Sequence, residues 1–127
     1  MEKSKILVID DELDLREALR TSLEAAGCAV VCAVDGKEGL ELALLHKPDL
    51  ILLDITMPKM NGHQVLSQLR SDAWGKDVPV LLLTNADDPE NIFTGVGLKG
   101  TDYIIKSQTS LENITKKVKQ YLAGYYD

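Results

Sequence analysis

The sequence predicts an α/β fold: five strands in a mostly parallel sheet, alternating with five helices. Three observations predict it. Apolar runs of strand length recur along the chain, beginning with Lys5-Ile6-Leu7-Val8-Ile9 and ending with Tyr103-Ile104-Ile105. Between them lie segments whose apolar residues recur at helical spacing. The two kinds alternate strictly, which argues for βα units and a parallel sheet.

Each element has its own signal. The first strand is Lys5 to Ile9. The first helix carries the stripe Leu15, Ala18, Leu19, Ser22, Leu23 and Ala26, and Gly27 stops it. Strand two is Ala29 to Ala33. Asp35-Gly36-Lys37-Glu38 offers an N-cap with an acid three residues on. The second helix turns Leu40, Ala43 and Leu44 inward and stops near His46, because Pro48 cannot continue it. Strand three, Leu50 to Leu53, ends at Asp54, and a loop from Met57 to Gly62 follows. Val65, Leu66 and Leu69 mark the third helix, and Ser71 to Asp77 is a polar connection. Strand four is Val78 to Leu83. Asp88-Pro89-Glu90 is a helix start, and two glycines, Gly95 and Gly97, inside the segment that follows predict either a short or mobile fourth helix or a plain loop with close backbone packing. The fifth strand is Asp102 to Ile105. The last helix opens on the capping-box pattern Thr109-Ser110-Leu111-Glu112 and presents Leu111, Ile114, Val118 and Leu122 on one side.

The 127 residues contain no repeat, low-complexity tract or linker, so residues 1–127 are expected to form one domain with no output domain beside it. A net charge of −6 and a pI near 4.9 argue against direct binding of nucleic acid or of an anionic membrane. No apolar run has the length of a signal peptide or a membrane span, so the protein is expected to be cytoplasmic. Cys28 and Cys32 would lie roughly 13 Å apart on one strand at about 3.3 Å per residue, too far for a disulfide. They read as ordinary core or strand residues, and His46 and His63 as surface or loop residues.

Function is carried by the strand ends. Four apolar runs terminate on polar residues: Asp10-Asp11, Asp54, Thr84 and Lys106. In an open parallel sheet these ends meet at the edge where ligands bind. Three clustered carboxylates repel one another and raise each other's pKa. A divalent cation removes the conflict, and an all-oxygen set with few protein donors favours Mg²⁺. Asp54 would sit centrally, and a carboxylate there can attack phosphorus to form an aspartyl phosphate. Mg²⁺ and Lys106 would offset charge on the phosphoryl oxygens, and Thr84 could donate its hydroxyl to one of them.

These residues resemble the bacterial two-component receiver domain, the phospho-acceptor domain of response regulators. The resemblance rests on Asp10-Asp11, the run Asp54-Ile55-Thr56-Met57-Pro58-Lys59-Met60-Asn61-Gly62, Thr84, Tyr103 and Lys106, and it covers the whole chain. It implies a doubly wound, flavodoxin-like sheet of order 2-1-3-4-5. It implies that Asp54 accepts the phosphoryl group. Asp10, Asp11, Asp54 and the backbone carbonyl of Thr56 would hold Mg²⁺. Lys106 would pair with the phosphoryl group, Thr84 would be the switch hydroxyl, and Tyr103 the aromatic whose rotamer follows it. The implied donor is a phosphohistidine on a sensor histidine kinase or phosphotransfer protein. The output is a surface of the fourth helix, fifth strand and fifth helix that binds a downstream protein target, or a second phosphorylated copy. Such a chain is a signalling module, catalysing only its own phosphorylation and dephosphorylation. Asn85 stands where the family carries a small residue, and Ser107 where it carries proline.

Two other classes remain open to the residues. A non-switching receiver-like adaptor would have the fold without the response. A phosphatase with an aspartyl nucleophile would carry a second acid two residues after it, where this chain has Thr56. A nucleotide-binding reading fares worst, because the first strand–helix turn is acidic and lacks glycine.

Overall fold

A computed structural model describes residues 3–55, 57, 59–84 and 101–124. Its strands are β1 (Lys5–Ile9), β2 (Ala29–Ala33), β3 (Leu50–Asp54), β4 (Val80–Thr84) and β5 (Thr101–Ile105). Its described helices are α1 (Leu13–Ala25), α2 (Gly36–His46), α3 (Gly62–Arg70) and α4 (Leu111–Leu122), with a 3₁₀ turn at Lys106–Gln108. The fourth helix expected from the sequence lies outside the described residues, as does Asn85, so α4 is the expected fifth helix.

The sheet runs β2-β1-β3-β4-β5, all parallel. Alternation along each strand splits the core into two layers. Ile6, Val8, Leu50, Leu52, Leu81 and Leu83 face α1 and α4, where Leu19, Leu23, Ile114 and Val118 meet them. Leu7, Ile9, Ile51, Leu53, Val80 and Leu82 face α2 and α3, against Ala43, Val65 and Leu69. Every residue of β3 and β4 is buried, which is why these strands read as unbroken apolar runs. No described helix is long and apolar enough to cross a membrane.

Local signals explain the helix ends. The Asp35 side chain accepts from the Glu38 N–H at 2.8 Å, and Glu38 Oε1 accepts from the Val34 N–H at 3.0 Å. Asn61 and Gln64 form a reciprocal capping box at the start of α3. Gly27, at φ 94°, takes the left-handed conformation just beyond α1.

Four details differ from the sequence reading. β4 begins at Val80 rather than Val78, since Pro79 has no N–H for the ladder. The cap of α4 is Ser110, whose hydroxyl accepts from the Asn113 N–H at 3.1 Å, so the box proposed on Thr109 is displaced by one residue. Leu44 faces solvent, and Leu111 is more exposed than its stripe implied. Tyr121 instead is buried in the α4 layer, its hydroxyl donating to Asp102 Oδ2 at 2.8 Å. Both cysteines are free and pack in or against the α1–α4 layer, Cys28 just before β2.

Arg70 joins the two ends of the polar connection. Its guanidinium donates to the carbonyls of Gly75 and Val78 at 2.7 and 2.8 Å and to the Thr101 hydroxyl at 2.7 Å. It thereby fixes the start of β5 relative to α3, and β5 delivers Lys106.

Candidate functional site

Strand register brings the polar ends together. Ile9 pairs with Leu53, which sets Asp10 level with Asp54. Asp54 pairs with Leu83, and Thr84 with Ile105, so Thr84 stands one residue and Lys106 two residues further along the same edge. Alternation puts Asp10, Asp54 and Lys106 on the α1–α4 side. Thr84 and Tyr103 share the opposite side, with Tyr103 half-buried against the α2–α3 layer.

Asp10 is 0 % exposed and Asp54 3 %. The Lys106 ammonium stands 3.2 Å from Asp10 Oδ2 and 3.2 Å from Asp54 Oδ2. It also donates to Glu12 Oε1 at 3.2 Å. No described peptide bond is cis, so Lys106 arrives at the two aspartates through a trans bond to Ser107. Asp10 Oδ1 accepts from the Glu12 N–H at 2.8 Å, and the Asp10 carbonyl accepts from Arg16 at 2.8 Å. These two bonds lock the β1–α1 turn that carries the acid pair.

The loop after β3 is held close. The Gly62 N–H donates to the Ile55 carbonyl at 2.8 Å. A Cβ on Gly62 would stand 2.6 Å from the Asp54 carbonyl oxygen, so only glycine lets α3 start this near the end of β3. Thr56, expected to offer a backbone carbonyl, lies outside the described residues.

Asp10, Asp11 and Asp54 each offer a carboxylate oxygen, and these oxygens all lie within 4.8 Å of one another. Asp10 Oδ2 is buried with no hydrogen-bond partner, because Lys106 meets it at ion-pair distance but not in hydrogen-bond geometry. A buried oxygen in that state is open to a cation. The hard, all-oxygen donor set fits Mg²⁺.

Electrostatics mark the same place. Burial raises the Asp54 pKa, the Asp10 charge raises it further, and Lys106 only partly opposes them; the value reaches about 7. Burial also raises Asp10, against the Glu12 N–H and Lys106. For Lys106 burial pulls downward, but the Asp10 and Asp54 carboxylates overcome it and the ammonium is held above its usual range. A group with so perturbed a pKa at a strand-end edge is a functional candidate on physical grounds.

The sequence reading did not single out Glu12 or Arg16 in this neighbourhood. Glu12 lies 94 residues from Lys106 in sequence, and only the crossover topology makes them neighbours. Arg16 shows nothing in sequence beyond a helical charge.

The chain matches the family model described as the response regulator receiver domain over residues 6–119. It is 41 % identical over 104 residues to a probable transcriptional regulator ycf27 of Cyanophora paradoxa, covering 82 % of this chain and 42 % of that protein. It is 38 % identical over 118 residues to the response regulator MprA of Mycolicibacterium vanbaalenii, covering 93 % and 50 %. The chain thus spans about half, or less, of the length of these relatives. Among solved structures it resembles the chemotaxis protein CheY4 of Vibrio cholerae, with a TM-score of 0.84 at 29 % identity over 94 % of this chain and 98 % of that one. A putative response regulator of Chloroflexus aurantiacus aligns with a TM-score of 0.87 at 27 % identity, over 96 % and 99 %.

Proposed function

The chain belongs to the response regulator receiver domains, and from that membership we propose that it accepts a phosphoryl group on Asp54 from a phosphohistidine of a sensor histidine kinase or phosphotransfer protein. The observation that carries this reading is the Lys106 ammonium, 3.2 Å from both Asp10 and Asp54 at the buried strand-end edge.

In the proposed step an Asp54 carboxylate oxygen attacks phosphorus in line. The phosphorus–nitrogen bond of the donor breaks as the oxygen–phosphorus bond forms, and its electron pair leaves on the imidazole. Asp10, Asp11, Asp54 and the Thr56 carbonyl would hold Mg²⁺, which when bound neutralises charge on the transferring oxygens. Lys106 pairs with one phosphoryl oxygen, and Thr84 donates its hydroxyl to another. Movement of Thr84 alters the space beside Tyr103, which shares its side of the sheet. That change reaches β5, α4 and the expected fourth helix, where a partner protein or a second phosphorylated copy docks. The groove beside β5, lined by Tyr103, Gln108, Asn113, Lys116, Lys117 and Gln120, supports a partner site there. Moving such a switch from 1:99 to 99:1 takes about 5.5 kcal/mol of differential stabilisation.

Relatives named transcriptional regulators suggest that the target controls transcription. Contact with nucleic acid would then fall to residues other than these, whose net charge of −6 opposes it. The setting is the cytoplasm, where such a kinase presents its phosphohistidine.

Intact-mass measurement after incubation with acetyl phosphate and Mg²⁺ tests the reaction. One phosphoryl group is expected, and none when a chelator is present. No adduct under either condition would favour the non-switching adaptor.

A further inference from the structure

Glu12 occupies the N-cap position of α1, where short polar side chains are preferred, yet its side chain makes no cap hydrogen bond. Its backbone does the local work. The Glu12 N–H donates to Asp10 Oδ1, and its carbonyl accepts from the Arg16 N–H at 3.0 Å. The side chain instead leaves the helix and accepts from Lys106 at 3.2 Å. Lys106 therefore touches three carboxylates: Asp10, Glu12 and Asp54.

An ammonium has three N–H donors and no more. A phosphoryl oxygen that pairs with Lys106 therefore competes with the carboxylates around the ammonium, of which Glu12 accepts its hydrogen bond. Asp54 stays bonded to the phosphoryl group itself. Asp10, 0 % exposed and within the carboxylate cluster proposed for Mg²⁺, would exchange the ammonium for the metal, not for the phosphoryl group. The Glu12 side chain is 61 % exposed and rehydrates at little cost. We infer that Glu12 is an internal competitor for the Lys106 ammonium, a positioning residue that sets how tightly the site takes a phosphoryl group. The inference rests on the receiver reading above and adds the residue that tunes it.

The test is titration of the Mg²⁺-saturated protein with beryllofluoride, a phosphoryl mimic, followed by amide NMR. Wild type, Glu12→Gln and Glu12→Ala are compared, each with Lys106 intact and in a Lys106→Ala background. With Lys106 present, both substitutions are expected to tighten binding about 1.5- to 5-fold, the range of an exposed ion pair. In the Lys106→Ala background the gain should shrink, because the coupling between the two side chains is gone. Equal gains in both backgrounds would mean simple charge repulsion and overturn the inference. Unchanged or weaker binding by the Glu12 variants would also overturn it, leaving the receiver reading intact. Failure of the wild type itself to bind beryllofluoride would overturn both.

Discussion

Asp54→Asn should stabilise the metal-free protein, and by much more at pH 8 than at pH 5. The cause is the Asp54 pKa, raised from 3.8 to about 7 by burial and the Asp10 charge. A folded-state pKa above the unfolded value means that the native state holds the proton more tightly. As pH rises from about 4 to about 7 the unfolded chain has already lost that proton, and the native state must give it up against resistance. Stability falls through this window and stays low above it. At 1.36 kcal/mol per pKa unit, the gain from the neutral asparagine should be on the order of 2–3 kcal/mol larger at pH 8 than at pH 5. Asp35 and Asp102 do not enter the window. The Glu38 N–H and Lys59 lower the Asp35 pKa, and at Asp102 burial pushes upward but Lys117, Tyr121 and the Tyr103 N–H together overcome it, so both contributions fade only as pH falls below the usual carboxylate range. Urea unfolding of both proteins in chelator, at the two pH values, measures the difference. Added Mg²⁺ should raise wild-type stability at pH 8 and narrow the gap. A gap independent of pH would contradict the account.

Lys106→Met should slow phosphoryl acceptance from acetyl phosphate by about 100-fold at saturating Mg²⁺, the scale of losing one preorganised charge partner of the transferring oxygens. The same change should push the Asp54 titration higher still in the metal-free protein, since Lys106 is what opposes burial and Asp10 there. Single-turnover mass measurements read the first effect, and carboxyl ¹³C NMR of Asp54 the second. A rate within a few-fold of wild type would mean that Lys106 serves the fold and not the phosphoryl group.

Much of this architecture was legible in the sequence because the signals were periodic. Unbroken apolar runs marked the doubly covered strands β3 and β4, and their last polar residues marked the edge where Asp54 and Thr84 now stand. Asp10 and Lys106 were found the same way, as terminal residues of strands. What escaped depends on distance in three dimensions. Arg70 looks like any late helical cation until the fold brings Gly75, Val78 and Thr101 to its guanidinium. Tyr121 displaced Leu111 from the buried stripe of α4 because Asp102 on β5 supplies a partner for its hydroxyl. The α4 cap moved by one residue because Thr109 and Ser110 are both competent, and their order alone does not choose between them. Glu12 could not be separated from its acidic neighbours until Lys106 arrived from the other end of the chain.

The central claim is that Asp54 is the residue that takes the phosphoryl group, and chemical trapping reads it directly. Borohydride reduces an aspartyl phosphate to homoserine, which peptide mapping locates. After treatment with acetyl phosphate and Mg²⁺, the account predicts homoserine at position 54 and at no other aspartate. Homoserine at position 10 or 11, or a phosphoryl group that resists borohydride, would contradict it.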